Sequence, residues 1–478
     1  MADEKKKDVK LRQTMPCQDP AQRSKNFDEV ALGFTEEQAV EEANRCLKCK
    51  KSPCITGCPV DIDINQFLEL TSQRKFKEAL EVIKEKNNLP GITGRVCPQE
   101  SQCEAMCTLG KGKAKSPLAI GAIERFVADW CDRNGVSIQV KMQPRNHVKV
   151  AVVGSGPAGL TAAGDLAIMG YDVTIFECFS DGGGVLIYGI PEFRLPKSIL
   201  KKEIEYLESL GVSFQFDTIV GKTLYVEELF EMGYQAVFLG TGAGLPRFMN
   251  IPGENLNDVY SANEFLTRVN LMKAYKFPEY DTPVKIGDIV AVVGGGNVAM
   301  DSARTALRLG AKEVRLLYRR SRAEMPARHA EIEHAEEEGI KFHFLWNPVE
   351  IIGDENGDIV AVKCQEMTLG CLDDSGRASC LPVEGSFKTF DINTMIMAIG
   401  SNVNEVCSKA TCGLEVNRRG HILVNEENQE TSLEGVFAAG DAVTGGATVI
   451  SAMGNAKKAA SAIDAYLKQK HSKSTSHS

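Results

Sequence analysis

Residues 46–59 read Cys46-Leu47-Lys48-Cys49-Lys50-Lys51-Ser52-Pro53-Cys54-Ile55-Thr56-Gly57-Cys58-Pro59, and residues 97–107 answer with Cys97-Pro98-x4-Cys103-x3-Cys107. Seven cysteines in so short a stretch decide what the amino-terminal part is built to hold. A C-x2-C spacing lets one turn present two thiolates to one metal centre, and a cysteine followed by proline typically reaches a second centre. The block therefore reads as a ligand set for two [4Fe–4S] clusters. Zinc knuckles would favour two separate C-x2-C pairs, and only Cys46/Cys49 forms one. Disulfides are disfavoured by compartment. The amino terminus, Met1-Ala2-Asp3-Glu4-Lys5-Lys6-Lys7, lacks the apolar core of a signal peptide, so the fifteen cysteines are expected in a reducing cytoplasm.

Two cubane clusters need eight ligands. If Cys58 crosses to the second cluster, symmetry sends Cys107 back to the first. One set is then Cys46, Cys49, Cys54 and Cys107, and the other Cys58, Cys97 and Cys103. A helix expected from Pro117 to Trp130 carries Ile120, Glu124, Val127 and Cys131 on one stripe. An acid inside an apolar stripe needs a cation or metal partner. Glu124 is the favoured eighth ligand, Cys131 its competitor, and a merely hydrogen-bonded Glu124 at a domain seam the bland alternative.

At 478 residues the chain is long enough for about three domains. Its 43% hydrophobic and 25% charged residues are ordinary for a globular protein. A net charge of −9 argues against general nucleic-acid binding. No apolar run approaches the ~20 residues that span a bilayer, so no membrane role is expected.

Residues 1 to 30 are charged and read as an extended arm, with Cys17 a free thiol. Thr35 and Gln38 form a capping box that starts a helix running into Cys46. Ile64 to Lys86 has helical periodicity (Ile64, Phe67, Leu68, Phe76, Leu80, Ile83) and serves as the spacer between the cysteine groups. A polar linker near residues 143–146 ends this first unit.

Val148 to Val153 is a buried-strand run followed by Gly154-Ser155-Gly156-Pro157-Ala158-Gly159, an arrangement that brings backbone N–H groups and a helix N-terminus to a pyrophosphate. A second strand, Asp172 to Phe176, delivers Glu177, suited to a ribose diol. The pattern repeats at Val290 to Val293 and Gly294-Gly295-Gly296-Asn297, but the next strand, Glu313 to Leu317, ends in Tyr318-Arg319-Arg320. Arginines in place of the acid turn a diol site into one for a 2′-phosphate, which points to NADP(H). Two further strands end in Gly242 and Gly400 and bracket the second fingerprint. Val436 to Ala438 leads to Gly440-Asp441, and a helix from about Thr448 to Leu467 turns its N-terminal dipole towards a flavin. The fold class expected is α/β: a helical two-[4Fe–4S] N-terminal domain followed by two Rossmann-like domains for FAD and NADP, the second inserted in the first. The expected boundaries are 1–145 (iron–sulfur), 146–285 and 395–467 (FAD), 286–394 (NADP) and 468–478 (disordered tail).

With these motifs the chain from about residue 25 to 467 resembles the glutamate synthase small-subunit family of flavoproteins, related to the amino-terminal half of dihydropyrimidine dehydrogenase. Gly183-Gly184-Val185-Leu186-Ile187-Tyr188-Gly189-Ile190-Pro191 and Tyr318-Arg319-Arg320 through Met325-Pro326-Ala327 are specific to that family. The resemblance implies FAD at Gly154, Gly156, Glu177 and Asp441, with Gly184, Leu186, Gly242, Gly440 and Thr448 beside them. It implies NADPH at Gly294, Gly296, Arg319 and Arg320, and a Gln or Glu as eighth cluster ligand at the place Glu124 holds. Within the family, the Cys97-x5-Cys103-x3-Cys107 spacing and Gly94 to Glu100 look closest to the large subunit of electron-bifurcating NADH-dependent ferredoxin:NADP oxidoreductase. Dihydropyrimidine dehydrogenase itself is not expected, because its carboxy-terminal barrel needs several hundred further residues.

Electrons must leave the flavin by some route. A disulfide reductase would place a cysteine pair soon after Glu177, yet Cys178 stands alone and residues 182–197 contain none. The cysteine-rich domain supplies the exit, so the chemistry is flavin-centred and no protein nucleophile is required. Implied partners are a smaller FAD/iron–sulfur subunit that binds NAD(H), together with ferredoxin. The alternatives are a glutamate synthase large subunit or the subunits of a hydrogenase.

Overall fold

The protein, a computed structural model, is described over residues 11–111, 116–136, 138, 140–372 and 376–475. The helical unit comprises α1 (Glu36–Ala43), α2 (Ile64–Ser72), α3 (Phe76–Lys84), α4 (Pro90–Val96) and α5 (Ile120–Arg133). The capping box forms as expected: Thr35 Oγ1 accepts from the Gln38 N–H at 3.2 Å, and Gln38 Oε1 accepts from the Thr35 N–H at 3.0 Å. The single spacer helix expected over 64–86 is two helices. The chain breaks at Arg74, which takes φ +59°, and the N–H groups of Gln73 and Lys75 both fold back on the Leu70 carbonyl. That break lets Phe76 pack against Phe126 and Trp130 of α5, with centroids 5.1 and 4.8 Å away. Long-range aromatic packing thus overrides local helical periodicity.

After the linker come β1 (Lys149–Val153), α6 (Pro157–Ile168), β2 (Asp172–Phe176), β3 (Ser213–Gln215) and β4 (Tyr234–Leu239). The chain then leaves through β5 (Leu245–Pro246) and builds a second unit. Its elements are β6 (Val259–Ser261), β7 (Ile289–Val293), α7 (Asn297–Arg308), β8 (Glu313–Tyr318), α8 (His329–Glu337) and β9 (Lys341–Phe344). An antiparallel layer of β10 (Trp346–Gly353), β11 (Ile359–Leu372) and β12 (Ala378–Asp391) follows, and β13 (Thr394–Met397) closes the unit. The return runs through β14 (Ser401–Asn402) to β15 (Val436–Ala438) and α9 (Val449–Thr475).

Two five-stranded sheets of like topology result, β15-β4-β1-β2-β3 and β6-β13-β7-β8-β9, each with parallel neighbours. β1 is apolar on both faces because both are covered. Val150 and Val152 join the core that includes α6 and α9, while Ala151 and Val153 join the core on the opposite side. The insertion expected from sequence is present, with shifted limits. β6 and β13 belong to the second sheet, and Phe265, Leu266 and Ala274 to its core, so residues 259–274 and 395–397 are not part of the first unit. The antiparallel pair β5/β14 marks the crossing in both directions. The misplacement has a clear cause. β4 and β13 occupy equivalent positions in two copies of one topology and end in the same glycine turn, so pattern alone cannot say which sheet each joins.

The helical unit is not a separate ball. Phe67, Ile83 and Phe126 share one continuous apolar core with Val150, Leu160 and Met453. Asn88 donates to Asp165 of α6 at 2.9 Å, and Lys457 of α9 pairs with the same carboxylate at 2.9 Å. Nor is the tail from Lys468 unstructured. α9 continues to Thr475, with Lys468 paired to Asp464 one turn back and the Lys470 ammonium over the Tyr466 ring. Residues 476–478 of that expected tail lie outside the described residues.

The arm, residues 11–33, touches every part. Arg12 pairs with Glu104 at 2.7 Å, and the Val30 N–H donates to the Phe193 carbonyl at 2.9 Å. Phe27 stacks on Tyr275 with a centroid separation of 4.4 Å. Arg23, 2% exposed, pairs with Glu338 at 2.9 Å across 315 residues of sequence. The Cys17 sulfur lies 3.7 Å from His334 Nε2.

Candidate redox site

β1 runs out at Val153, and three glycines manage the turn into α6. Gly154 takes φ +94°, and a side chain there would begin 2.6 Å from the Gly240 carbonyl. At Gly159 an added Cβ would stand 1.9 Å from the Gly154 carbonyl oxygen, so only hydrogen lets the helix close on the strand. Gly156 differs, since a Cβ there meets nothing within 4 Å. The empty space above it is where a pyrophosphate would approach, at the N-terminus of α6. Glu177, 3% exposed, accepts from the Ser155 N–H at 2.8 Å and from the Ser155 hydroxyl. The carboxylate is thus fixed at the fingerprint, at the tip of β2. Asp441 Oδ1 accepts from the Ala447 N–H at 3.2 Å, and burial raises its pKa. Thr448 caps α9, its Oγ1 taking the Ser451 N–H at 3.2 Å and Gln102 Nε2 at 3.3 Å.

The second fingerprint repeats this design. Gly294 has φ +139°, with the Ala398 carbonyl 2.3 Å from any added Cβ, while the nearest atom to one at Gly296 is Pro326 Cγ at 3.9 Å. Asn297 Oδ1 accepts from the Arg328 N–H at 3.0 Å. Beyond β8 the two arginines divide their work. Arg319 is exposed, whereas Arg320 is 6% exposed and donates through Nε to the Ala378 carbonyl at 2.7 Å. Arg377, at the foot of β12, joins them at the cleft wall. Sequence reading passed over Arg377, since nothing local marks a residue that folding returns to β8.

Both fingerprints open on one cleft of about 1870 Å³, well above the roughly 300–1,000 Å³ of a single ligand site. Gly154, Ser155, Gly156, Pro157, Ala158, Glu177, Gly184, Gly242, Asp441 and Thr448 line it on one side, and Gly294, Gly295, Gly296, Asn297, Arg319 and Arg320 on the other. Gly159, Leu186 and Gly440 do not line it. Gly159 and Leu186 are packed behind the wall, and Gly440 turns the chain with φ +73° ahead of Asp441.

The cysteines fall into two groups. Cys46, Cys49, Cys54 and Cys107 line a small cavity closed by Leu68, Leu118 and Ile120. Burial, with Cys46 and Cys107 nearby, pushes the Cys54 thiol up to about 11. Cys58, Cys97 and Cys103 form the other group, and all three feel the Glu124 carboxylate. Glu124 is 7% exposed. Its Oε1 accepts from Thr93 Oγ1 at 2.6 Å and Asn87 Nδ2 at 2.8 Å, and burial pushes its pKa up to about 7. Neither hydrogen bond falls on Oε2. Cys131, the rival ligand, lies elsewhere. Its thiol donates to the Phe76 carbonyl at 3.6 Å, and its acidic neighbours are Glu81 and Glu78 of α3. Among the described residues no three His, Cys, Asp or Glu side chains converge closely enough for one metal ion.

The second group stands at the cleft. Val96 and Pro98, on either side of Cys97, both line it. Gln102, beside Cys103, reaches Thr448 of the α9 cap. A Cβ on Gly454 of α9 would lie 2.5 Å from the Pro59 carbonyl, next to Cys58. Arg328 bridges the units from the other side, donating to the Arg95 carbonyl and to Gln99 Oε1 at 2.8 Å each. The first group faces outward, with Leu47 between two of its cysteines 57% exposed. In the loop that follows Glu192, Arg194 grips Asp301 of α7 with two bonds of 2.7 and 2.8 Å.

Comparison with known proteins agrees with this division. Residues 23–136 match the family described as dihydropyrimidine dehydrogenase domain II, 4Fe-4S cluster, and residues 148–462 match the pyridine nucleotide-disulphide oxidoreductase family. The chain is 36% identical to the glutamate synthase [NADPH] small chain of Azospirillum brasilense, over 97% of this chain and 96% of that one. It is 40% identical to the NADP(+)-dependent formate dehydrogenase subunit beta of Moorella thermoacetica over 87% of its own length, but spans only 60% of that subunit. Among solved structures, Mycobacterium tuberculosis FprA in complex with NADPH superposes with a TM-score of 0.57 at 21% identity, covering 69% of this chain and 86% of that one, a likeness of fold. No helix among the described residues is long and apolar enough to cross a membrane. Two dinucleotide folds facing one cleft, with a cysteine-rich helical unit at its wall, thus coincide with an end-to-end match to a small chain, and the chain belongs to the glutamate synthase small-chain family of NADP-dependent iron–sulfur flavoprotein oxidoreductases.

Proposed function

We propose that this chain takes reducing equivalents from NADPH, passes them through FAD and then through two [4Fe–4S] clusters, and delivers them to a partner protein. The observation that carries the reading is the position of Cys97, between two residues that line the cleft shared by both fingerprints. Gly156 and Asp441 would hold FAD with the N-termini behind them, and Gly296, Arg319 and Arg377 would hold NADPH. Cys58, Cys97, Cys103 and Glu124 would bind the inner cluster, and Cys46, Cys49, Cys54 and Cys107 the outer. Bound there, FAD supplies the exchange between a two-electron donor and one-electron acceptors. The chain's own work is placement. Buried Arg194–Asp301 fixes the nucleotide unit against the flavin loop, and Gln102 to Thr448 fixes the inner cysteines against the α9 cap. Anaerobic reconstitution should give about eight irons per chain. Replacing Cys49 by Ser should remove one cluster and leave the other, whereas zinc in place of iron would end the reading.

For the partner, the cysteine spacing favours ferredoxin together with a smaller FAD/iron–sulfur subunit that binds NAD(H), in a bifurcating complex. NADPH-driven ferredoxin reduction should then require NAD⁺, and reduction at the same rate without NAD⁺ would remove bifurcation. The end-to-end match to a glutamate synthase small chain favours a second reading, in which a glutamate synthase large subunit accepts the electrons. Glutamine- and 2-oxoglutarate-dependent NADPH oxidation on adding such a subunit would decide for it.

A further inference from the structure

The sequence around the outer cysteine group is locally basic. Overall the protein carries −9, yet residues 43–60 contain Arg45, Lys48, Lys50 and Lys51 and no Asp or Glu. Residues 105–123, which bring Cys107, contain Lys111, Lys113 and Lys115 and again no acid. Folding brings Cys46, Cys49 and Cys54 to Cys107, Thr108 and Leu109 at one cavity. Of the cations, Arg45 is neutralised by Glu42 and Lys48 by Glu69. Lys50, Lys51 and Lys111 are exposed, and no ion pair or hydrogen bond engages their ammonium groups among the described residues. Two large apolar side chains of the same segments are also exposed, Leu47 at 57% and Met106, beside Cys107, at 38%.

From this juxtaposition we propose that the face over Cys46, Cys49, Cys54 and Cys107 is a docking surface for an acidic one-electron carrier protein. Lys50, Lys51 and Lys111 steer it, and Leu47 and Met106 form the dry centre of the contact. The inference rests on the electron-transfer reading above and adds the partner's charge and place of contact. Physically the arrangement suits transient exchange. Like-signed cations around an exit attract an acidic partner at long range and speed encounter, while a small apolar centre brings the cofactors close without holding the product. A protein of net −9 would otherwise repel an acidic carrier, and the exposed lysines reverse the sign locally at this face. No bond is made or broken; one electron leaves the outer cluster and one enters the carrier.

The test uses the cluster-loaded, FAD-loaded full chain with an acidic two-[4Fe–4S] ferredoxin, and a basic cytochrome c as counter-probe. Binding of the oxidised proteins is measured by titration calorimetry, so the readout does not depend on turnover. Affinity for the ferredoxin should fall about tenfold or more between about 50 and about 300 mM salt, as screening shortens the reach of exposed charges. Lys50→Glu/Lys51→Glu/Lys111→Glu should weaken it at least as much and strengthen binding of the cytochrome. Lys50→Gln/Lys51→Gln/Lys111→Gln, which cannot repel, should weaken the ferredoxin without attracting the cytochrome. Iron and flavin contents equal to the parent show that the variants are folded. Ferredoxin affinity indifferent to salt and to both triple variants overturns the docking surface, as does equal weakening for ferredoxin and cytochrome. Reduction of the clusters by NADPH is followed separately by low-temperature electron paramagnetic resonance. If the clusters reduce but docking ignores charge, only this inference fails; if they do not reduce, the electron-transfer reading fails with it.

Discussion

The two dinucleotide units share a topology, a turn and a cleft, and differ in what stands behind the turn and at the tip of the second strand. In the flavin unit the third fingerprint position is Gly159, forced by a carbonyl 1.9 Å away from any Cβ. In the other unit the corresponding residue is Ala299, fully buried, so there the turn accommodates a methyl group. At the second-strand tip Glu177 is buried and hydrogen-bonded to the fingerprint itself, whereas Arg319 is exposed. One tip is buried and tied to its own fingerprint, and the other is open to solvent, as a clamped and an exchanging nucleotide would respectively require. The difference lies in a few side chains on an otherwise repeated scaffold.

The hardest blow to this contrast should come from Gly159→Ala. Forcing a Cβ against the Gly154 carbonyl should leave purified protein with little bound flavin, read from the visible absorbance ratio, while Ala299→Gly leaves flavin content intact and lowers stability by about 1 kcal/mol. Retention of full flavin in Gly159→Ala would break the comparison. Next come Gly156→Ala and Gly296→Ala, whose new methyl groups meet open space in the protein. Each should leave the fold of the apoprotein unchanged by circular dichroism yet weaken its own nucleotide about tenfold or more, FAD for the first and NADPH for the second. Arg319→Ala should raise KM for NADPH about tenfold with kcat little changed and erase most of the preference over NADH. Arg320→Ala should instead show chiefly in thermal stability, because its Nε bond holds the β12 strand.

The smallest effect concerns the seam between the arm and the nucleotide unit. Burial, with the cations of Arg304 and Arg23 near it, lowers His334 from 6.5 to about 4. Burial of Glu331 and Glu338 is outweighed by their arginines, which hold both at about 2. All three bind fewer protons folded than unfolded. Stability is therefore lost as pH falls from about 6.5 towards 4 for the histidine, and from about 4.5 towards 2 for the carboxylates. The histidine's share should be on the order of 1 kcal/mol, since its ring is only partly enclosed. His334→Gln should flatten the upper part of that profile in urea titrations, and an unchanged slope would show that the seam does not sense it.

How much of this was legible in the chain depends on the range of the cause. The glycine turns and the capping box at Thr35 were readable because their constraints lie within a few residues. The division of the cysteines into two groups was readable from their spacing, and Glu124 stood out as an acid on an apolar stripe. The break at Arg74 was not, because Phe126 and Trp130, far along the sequence, cause it. Assigning β13 to its sheet failed because two copies of one pattern are interchangeable until strands pair. Arg377 and Arg328 reach the site only through tertiary folding and leave no local trace.

The crossings of the amino-terminal arm bear on the order of biosynthesis. Arg23 finds Glu338 only after more than three hundred further residues have been translated, although domains generally close from the amino end as they emerge from the ribosome. Glu104 and Phe193 can hold the arm earlier, through Arg12 and the Val30 N–H, but its last fastening must wait for Glu338. Completion of that seam is then a late step of maturation, and a chain truncated before Glu337 would leave the Arg23 guanidinium without its two carboxylates.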